Sequence, residues 1–293
     1  MRPNLQTSLL QTFVAVAEAE SFTAAAAAVG RTQGAVSLQI GRLEEMLDCR
    51  LLERSNRSVS LTRPGRDFLI YARRILRLHD EAAAAVNPAL GEAVIRVGMP
   101  NDYAELFLPG LLSAFEADYP SVRCDIHCDM TWDLLAQLDR GALDVVVGIR
   151  HAARSTGQTL CDEEIVWVAG PRFVPSALEN EPVPLVLYPE SCPYRARATE
   201  ALAGSGRPWR VVYTSQSPTG IRIAVEARGA VTITSRRTVP AHWRVLDERE
   251  GFPALPPAEL QIFTAGGSPP PAVGSFAALA RRELSRAPGP ASG

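Results

Sequence analysis

The sequence predicts an α+β chain of several domains: a small winged helix-turn-helix, one linker helix, and a larger two-lobed α/β domain. Three observations carry this reading. Two short helical segments meet across a break at Gly30 and Arg31, which is the pattern of a helix-turn-helix. Residues 66–88 keep a single unbroken helical periodicity. From Ala93 onward strand and helix patterns alternate, which predicts mostly parallel sheets with helices on both faces.

The elements follow in order. Leu9, Leu10, Phe13, Val14 and Ala17 recur at helical spacing and give a first amphipathic helix. Ser21 offers an N-cap to a short helix over 22–29, which contains five consecutive Ala, the best helix former. Thr32 caps a third helix over 33–47, with Val36, Ile40, Leu43 and Leu47 on one side. Residues 50–54 and 58–62 are strand-like and flank the turn Ser55-Asn56-Arg57, giving a small wing. The 66–88 helix, about 35 Å long, carries Phe68, Ala72, Ile75, His79, Ala82 and Val86 in alternating steps of four and three. That is a coiled-coil seam, and its simplest partner is its own copy. Beyond it, strands are predicted at 94–99, 122–130, 144–148, 165–169, 185–188, 210–214 and 231–234. Helices are predicted at 103–117, 131–140, 194–203, 218–228 and 272–284. The domains implied are 1–65, 66–88 and 92–293, the last split into one lobe of about 92–162 plus 268–293 and another of about 163–267.

Composition excludes several classes. A chain of 293 residues with 46% hydrophobic and 21% charged residues is an ordinary globular protein. No apolar run approaches the roughly 20 residues of a membrane span, and no secretory signal precedes residue 20, so the cytoplasm is expected. The five cysteines, Cys49, Cys124, Cys128, Cys161 and Cys192, form no disulfide framework. In a strand Cys124 and Cys128 face away from His127, so they are expected in the core rather than around a metal. All thirty cations are Arg, and residues 1–88 hold eleven against nine acidic residues, too slight an excess to prove nucleic-acid binding alone. There is no Gly-x-Ser-x-Gly elbow, no Gly-Lys-Ser phosphate loop and no His-Glu-x-x-His, and the four His are scattered. An enzyme is not expected, nor is a cofactor.

The N-terminal text carries a specific resemblance. Phe13-Val14-Ala15-Val16-Ala17, Ser21 to Ala26, Thr32-Gln33, Val36-Ser37, Gln39-Ile40, Arg42-Leu43-Glu44, Leu51 to Arg54 and Leu61-Thr62-Arg63-Pro64-Gly65 resemble the LysR-type transcriptional regulators in order and spacing. Gly34, Leu38 and Gly41 depart from the family's usual residues. The resemblance implies a DNA-binding regulator whose C-terminal half is a periplasmic-binding-protein-like effector domain. It also implies a homodimer on a palindromic operator in double-stranded DNA, and a homotetramer overall.

Site residues follow from geometry. At the N-terminus of a recognition helix Gln33 is placed to bond adenine, with Thr32 as cap and Ser37 one turn on. Arg31, Arg54, Arg57 and Arg63 are the expected phosphate clamps. Phe68, Ala72, Ile75, Ala82 and Val86 are the expected dimer seam. Small ligands of α/β lobes gather at strand C-termini and helix N-termini, which gives Asn101, Thr131, Arg150, Ser191, Cys192, Arg195, Ser215, Ser217 and Thr219. Hydroxyls with two Arg point to a small carboxylate, against which Asp102 counts if it faces inward. Two other readings use the same residues: a redox-responsive regulator acting through Cys192, and a solute-binding protein.

Overall fold

The computed structural model describes residues 4–54, 59–87, 93–150, 157–174, 181–264 and 269–286. The chain divides into two compact units: Met1–Ile95 with Ser121–Arg123 and Gln137–Asp144, and Arg96–Pro120 with Cys124–Ala136 and Val145–Gly293.

In the first unit, helices α1 (Thr7–Ala19), α2 (Phe22–Ala28) and α3 (Gln33–Leu47) precede a two-stranded wing, β1 (Leu52–Arg54) and β2 (Val59–Leu61), and a long helix, α4 (Arg63–Val86). Leu10, Phe13, Val16, Ala25, Val36, Ile40 and Leu43 are completely buried together and form its core. The caps are those the sequence predicts. Ser21 Oγ accepts the Ala24 N–H at 3.3 Å and Thr32 Oγ1 accepts the Ala35 N–H at 3.3 Å. Glu44, on the last turns of α3, accepts the N–H groups of Leu51 and Leu52 at 2.8 and 3.1 Å and so fixes where the wing leaves the helix.

The long helix starts three residues earlier than its periodicity implies, because Thr62 caps it and Pro64 lies in its first turn. Gly65 is required there, since a Cβ at that position would overlap the Leu51 carbonyl. Arg73 of α4 pairs with Glu18 at 2.7 Å, and Arg77 pairs with Asp144 in the same unit.

The predicted seam of α4 is corrected in its first half. Ala72 is fully buried with Leu69 in the core of its own chain, and Phe68 packs on Phe13 with ring centroids 5.4 Å apart. The exposed apolar positions are Tyr71, Ile75 (39% exposed), Leu78 and Val86 (88% exposed). At about 100° per residue these and Ala82 fall within an arc of about 80°. The physical reason is that α4 carries two adjacent stripes, one consumed by α1 and one left open, and a heptad count alone merges them.

The rest of the chain runs β3 (Ala93–Gly98), α5 (Asn101–Asp118), β4 (Val122–His127), α6 (Thr131–Asp139), β5 (Val145–Ile149), β6 (Gln158–Glu163), β7 (Ile165–Ala169) and β8 (Val183–Leu187). Then come α7 (Pro193–Ser205), β9 (Trp209–Thr214), α8 (Pro218–Arg228), β10 (Val231–Ser235), β11 (Arg244–Leu246), β12 (Ala258–Thr264) and α9 (Pro271–Arg286). One sheet has the order β4-β3-β5-β12-β6 and the other β11-β7-β10-β8-β9. The chain passes from the first to the second across Glu164 and returns between β11 and β12.

These sheets are mixed, not mostly parallel. β3 with β5, and β8 with β9 and β10, are parallel, but β12 runs antiparallel to β5 and β6, and β7 runs antiparallel to β10 and β11. The strands absent from the sequence reading are β6, β11 and β12. β6 is polar apart from Leu160 and Cys161, β11 has three residues, and β12 follows Pro253, Pro256 and Pro257, which read as loop.

Candidate functional site

Two surfaces carry candidate chemistry. On the first unit, α3 buries Val36, Ile40 and Leu43 and leaves its other side open. Arg31, Thr32, Gln33 and Gly34 are exposed at its capped N-terminus, Ser37 is half-buried, and Leu38 stands 77% exposed. Nothing lies within 4 Å of where a Cβ of Gly34 or Gly41 would sit. Leu38 is four residues after the first and three before the second, so it is a single apolar knob on an otherwise smooth helix face. Arg63 is exposed at the start of α4, and Arg42 and Arg50 are exposed as well. The side chain of Arg54 and all of Arg57 lie outside the described residues.

The second surface is a cavity of about 560 Å³ of empty space, part of it open to solvent. It lies at strand C-termini, where β3 leads into α5, β4 into α6, β8 toward α7 and β9 into α8. Asn101, Asp102 and Tyr103 enter from α5, Thr131 and Trp132 from α6, and Ser191, Cys192 and Tyr194 from the start of α7. Tyr188 and Gln216 complete the wall. Thr131 reaches it because residue 148 is glycine: a Cβ there would come within 2.7 Å of the Thr131 side chain.

The cavity's base is hydrogen-bonded. Tyr103 Oη and Tyr194 Oη lie 2.8 Å apart, and both rings are buried. Beside them a fully buried Glu163 accepts the Ser235 hydroxyl at 2.5 Å and faces the Arg237 guanidinium at 3.4 Å. All three lining tyrosines are pushed well above the usual phenol value, chiefly by burial, so they stay neutral. Burial likewise raises the Asp102 carboxyl from 3.8 to about 6, against the backbone N–H groups of Tyr103 and Asp102 that favour its charge.

The structure places the other sequence-derived residues as follows. Asn101, Thr131, Ser191 and Cys192 share the wall of this one cavity. Ser217 and Thr219 instead line a neighbouring groove with Glu105, Arg222 and Trp243. Ser215 Oγ accepts the Ser217 N–H at 3.1 Å and shapes the turn. Arg150 pairs with Glu259 at 2.6 Å, and Arg195 donates to the Tyr188 carbonyl at 3.1 Å and faces Glu190 at 3.7 Å. Neither arginine lines the cavity, so the pair that pointed to a carboxylate does not assemble. The aromatic wall of Tyr103, Trp132, Tyr188 and Tyr194 is absent from the sequence reading. Each of these residues is adjacent to or within a few positions of a strand end, and that proximity was the available signal.

The cysteines do not gather. Cys192 is buried, and burial pushes its thiol up to about 11; Cys161 is pushed up to about 11 as well, by burial and by Glu163. Thiols held protonated in this way are poor nucleophiles toward an oxidant. Cys128 is exposed beyond the end of β4, not in the core as its strand spacing implied. Among the described residues no group of three His, Cys, Asp or Glu is arranged to hold a metal ion.

Comparison with known proteins finds a family model at each end of the chain. Residues 7–66 match the bacterial regulatory helix-turn-helix protein model of the lysR family, and residues 89–285 match the LysR substrate binding domain. The chain is 37% identical over 254 residues to the HTH-type transcriptional regulator DgdR of Burkholderia cepacia, covering 87% of this chain and 85% of that one. It is 34% identical over 261 residues to PecT of Dickeya dadantii, covering 86% and 79%. Its fold superposes on ArgP from Mycobacterium tuberculosis with a TM-score of 0.73 at 19% identity, over 97% of this chain and 98% of that one. With a helix-turn-helix model at one end and a substrate-binding model spanning most of the remainder, the chain belongs to the LysR family of transcriptional regulators.

Proposed function

We propose that the chain binds a palindromic operator through α3 and the wing, and that a small molecule in the α5–α6–α7 cavity controls the transcriptional outcome. As a LysR-type regulator it acts by binding DNA and an effector, not by catalysis. The observation that carries the DNA reading is the division of α3 into a fully buried side and an open, capped N-terminus bearing Gln33. Gln33 reads an adenine edge, Ser37 and Leu38 face neighbouring bases, and Arg31, Arg54, Arg57 and Arg63 hold phosphates. The parts are 1–65 for DNA, 66–88 as the linker and 92–293 for the effector; its two lobes divide at about 163 and again between β11 and β12, at about 247–257 rather than the 268 read from the sequence, because β12 pairs with β5 and β6.

A second copy of this chain covers the open stripe of α4, Tyr71, Ile75, Leu78, Ala82 and Val86, and places two recognition helices on one operator. A homotetramer in the cytoplasm is the full assembly. No described helix is long and apolar enough to cross a membrane. Selection of bound sites from a random duplex library, followed by a salt titration on the selected and a scrambled site, tests the DNA reading. A two-fold symmetric selected sequence with a markedly higher affinity than the scrambled one is expected, and equal affinities for both overturn it.

A further inference from the structure

Resting on the reading of this cavity as the effector site, we propose that the effector is a small organic cation, a compound carrying a protonated amine or a quaternary ammonium. The argument begins with what lines the cavity. Asp102 and Asp129 are both in its wall, and none of the sixteen lining residues is Arg, Lys or His. Four nearby arginines are committed elsewhere: Arg150 to Glu259, Arg195 to the Tyr188 carbonyl and Glu190, Arg197 to the Pro193 and Pro257 carbonyls, and Arg237 to Glu163. A fifth, Arg222, is exposed and lines the adjoining groove rather than this cavity.

Four helices, α5 to α8, begin at the cavity, and open helix N-termini would draw an anion. At two of them an acidic side chain of this chain stands in that place. The Asp102 carboxylate accepts the Tyr103 and Asp102 N–H groups at the start of α5. Asp129 accepts the Met130 N–H at 2.8 Å just ahead of α6. At the start of α7 the Arg195 N–H donates to the Cys192 carbonyl at 3.0 Å, and ahead of α8 the Ser217 N–H donates to Ser215 Oγ at 3.1 Å. An incoming carboxylate would meet the two acidic side chains, Asp102 and Asp129, in the same wall. An ammonium would find a carboxylate at the wall, a second near the mouth, and the faces of Tyr103, Trp132, Tyr188 and Tyr194 around it, which is the environment that recognises organic cations.

The test uses the full-length protein and matched pairs of probes of similar shape: phenethylamine against phenylacetate, and benzyltrimethylammonium against benzoate. Binding is read by calorimetry and by the shift in melting temperature at millimolar ligand. Binding by the cations and not by the acids is expected. Asp102→Asn, which keeps the shape and the backbone hydrogen bonds, weakens cation binding at least about tenfold. On the unsubstituted protein, cation affinity falls about tenfold per pH unit below about 6, as Asp102 takes up a proton, while Tyr103, Tyr188, Tyr194 and Cys192 around it, all raised by burial, keep their protons. Should Asp102→Asn fail to fold, this pH profile and Asp129→Asn carry the same test. Acids that bind, with Gly148→Val abolishing the effect by displacing Thr131, would leave the cavity as the effector site and overturn the cation. Cations that bind equally to the unsubstituted protein and to Asp102→Asn, Asp129→Asn and Gly148→Val would overturn both readings. Absence of binding by either cation overturns the proposal.

Discussion

Replacing Asp102 by Asn in the unliganded protein stabilises it, and the gain depends on pH. The carboxyl stands at about 6 in the folded chain against 3.8 unperturbed. The folded state therefore binds the proton more tightly than the unfolded one, and the stability this provides is complete below pH 3.8 and lost as pH rises through 6. At about 1.36 kcal/mol per unit of displacement, the ionised carboxylate costs up to about 3 kcal/mol at pH 8. Because Asp102 keeps some solvent access, about 2 kcal/mol is the working figure. Asn retains an oxygen for the Tyr103 N–H and carries no charge, so it escapes the cost without losing the cap. For a unit of some 150–250 residues, 2 kcal/mol raises the melting temperature by about 4–8 °C. Scanning calorimetry of both proteins from pH 5 to 8 is the assay: the Asn variant melts higher at pH 8, and the gap narrows to about half at pH 5, where much of the native carboxyl is protonated. A gap that is constant over that range, or a variant that melts lower than the parent at pH 8, would show that Asp102 is already paired in the folded chain.

Other perturbations separate the remaining roles. Gln33→Ala lowers affinity for the selected operator by about 1–3 kcal/mol and leaves scrambled DNA unaffected, whereas Arg54→Ala weakens both and reduces the salt slope by about one, as read by fluorescence anisotropy in a salt series; equal losses from Gln33→Ala on both duplexes would remove it from base readout. Leu38→Arg adds one phosphate or guanine contact on an exposed face, so binding to scrambled DNA strengthens and its salt slope steepens by about one. Ile75→Asp places a charge in the open stripe of α4 and reduces the size of the assembly in sedimentation at micromolar concentration while the chain still folds. Ala72→Asp, at a fully buried position, unfolds the first unit instead. An Ile75→Asp protein that sediments like the parent would assign that stripe another role.

What the sequence disclosed follows a physical line. The boundaries of α3 and α8 and the strand β7 were legible because local signals agree at each end: Thr32 caps one helix, Ser217 and Pro218 open another, and Ile165 to Ala169 is a short apolar run. The strands that escaped are held by partners far away in the chain. β12 pairs with β5 across more than a hundred residues and with β6 across nearly as many; its polar neighbour β6 has no apolar alternation of its own, and β11, held by β7 in the other sheet, is only three residues long. The α4 stripe shows the same limit, since spacing identifies an apolar face but not which protein surface has already used it. Ala72 and Ile75 look equivalent in the heptad, yet the core of α1 closes over one and leaves the other in water.

The charge of the effector cavity makes the point in its sharpest form. Arg150 and Arg195 sit at strand and helix ends, where a sequence reading expects anion hooks, and their residue type argues for a carboxylate. Arg150 is neutralised by Glu259, which lies 109 residues downstream, on the antiparallel strand no local pattern announced. That same ion pair draws the Glu259 carboxyl below its usual value, so both charges are spent outside the cavity wall. Asp102, the fourth residue after β3, shares the cavity wall with aromatic rings instead. The sign of a binding site is thus set by which charges the distant chain cancels, and here the cancelled charges are the cations. In the proposed reading, a cavity walled by Asp102 and Asp129 discriminates by repulsion as much as by attraction, disfavouring acids before it selects among amines.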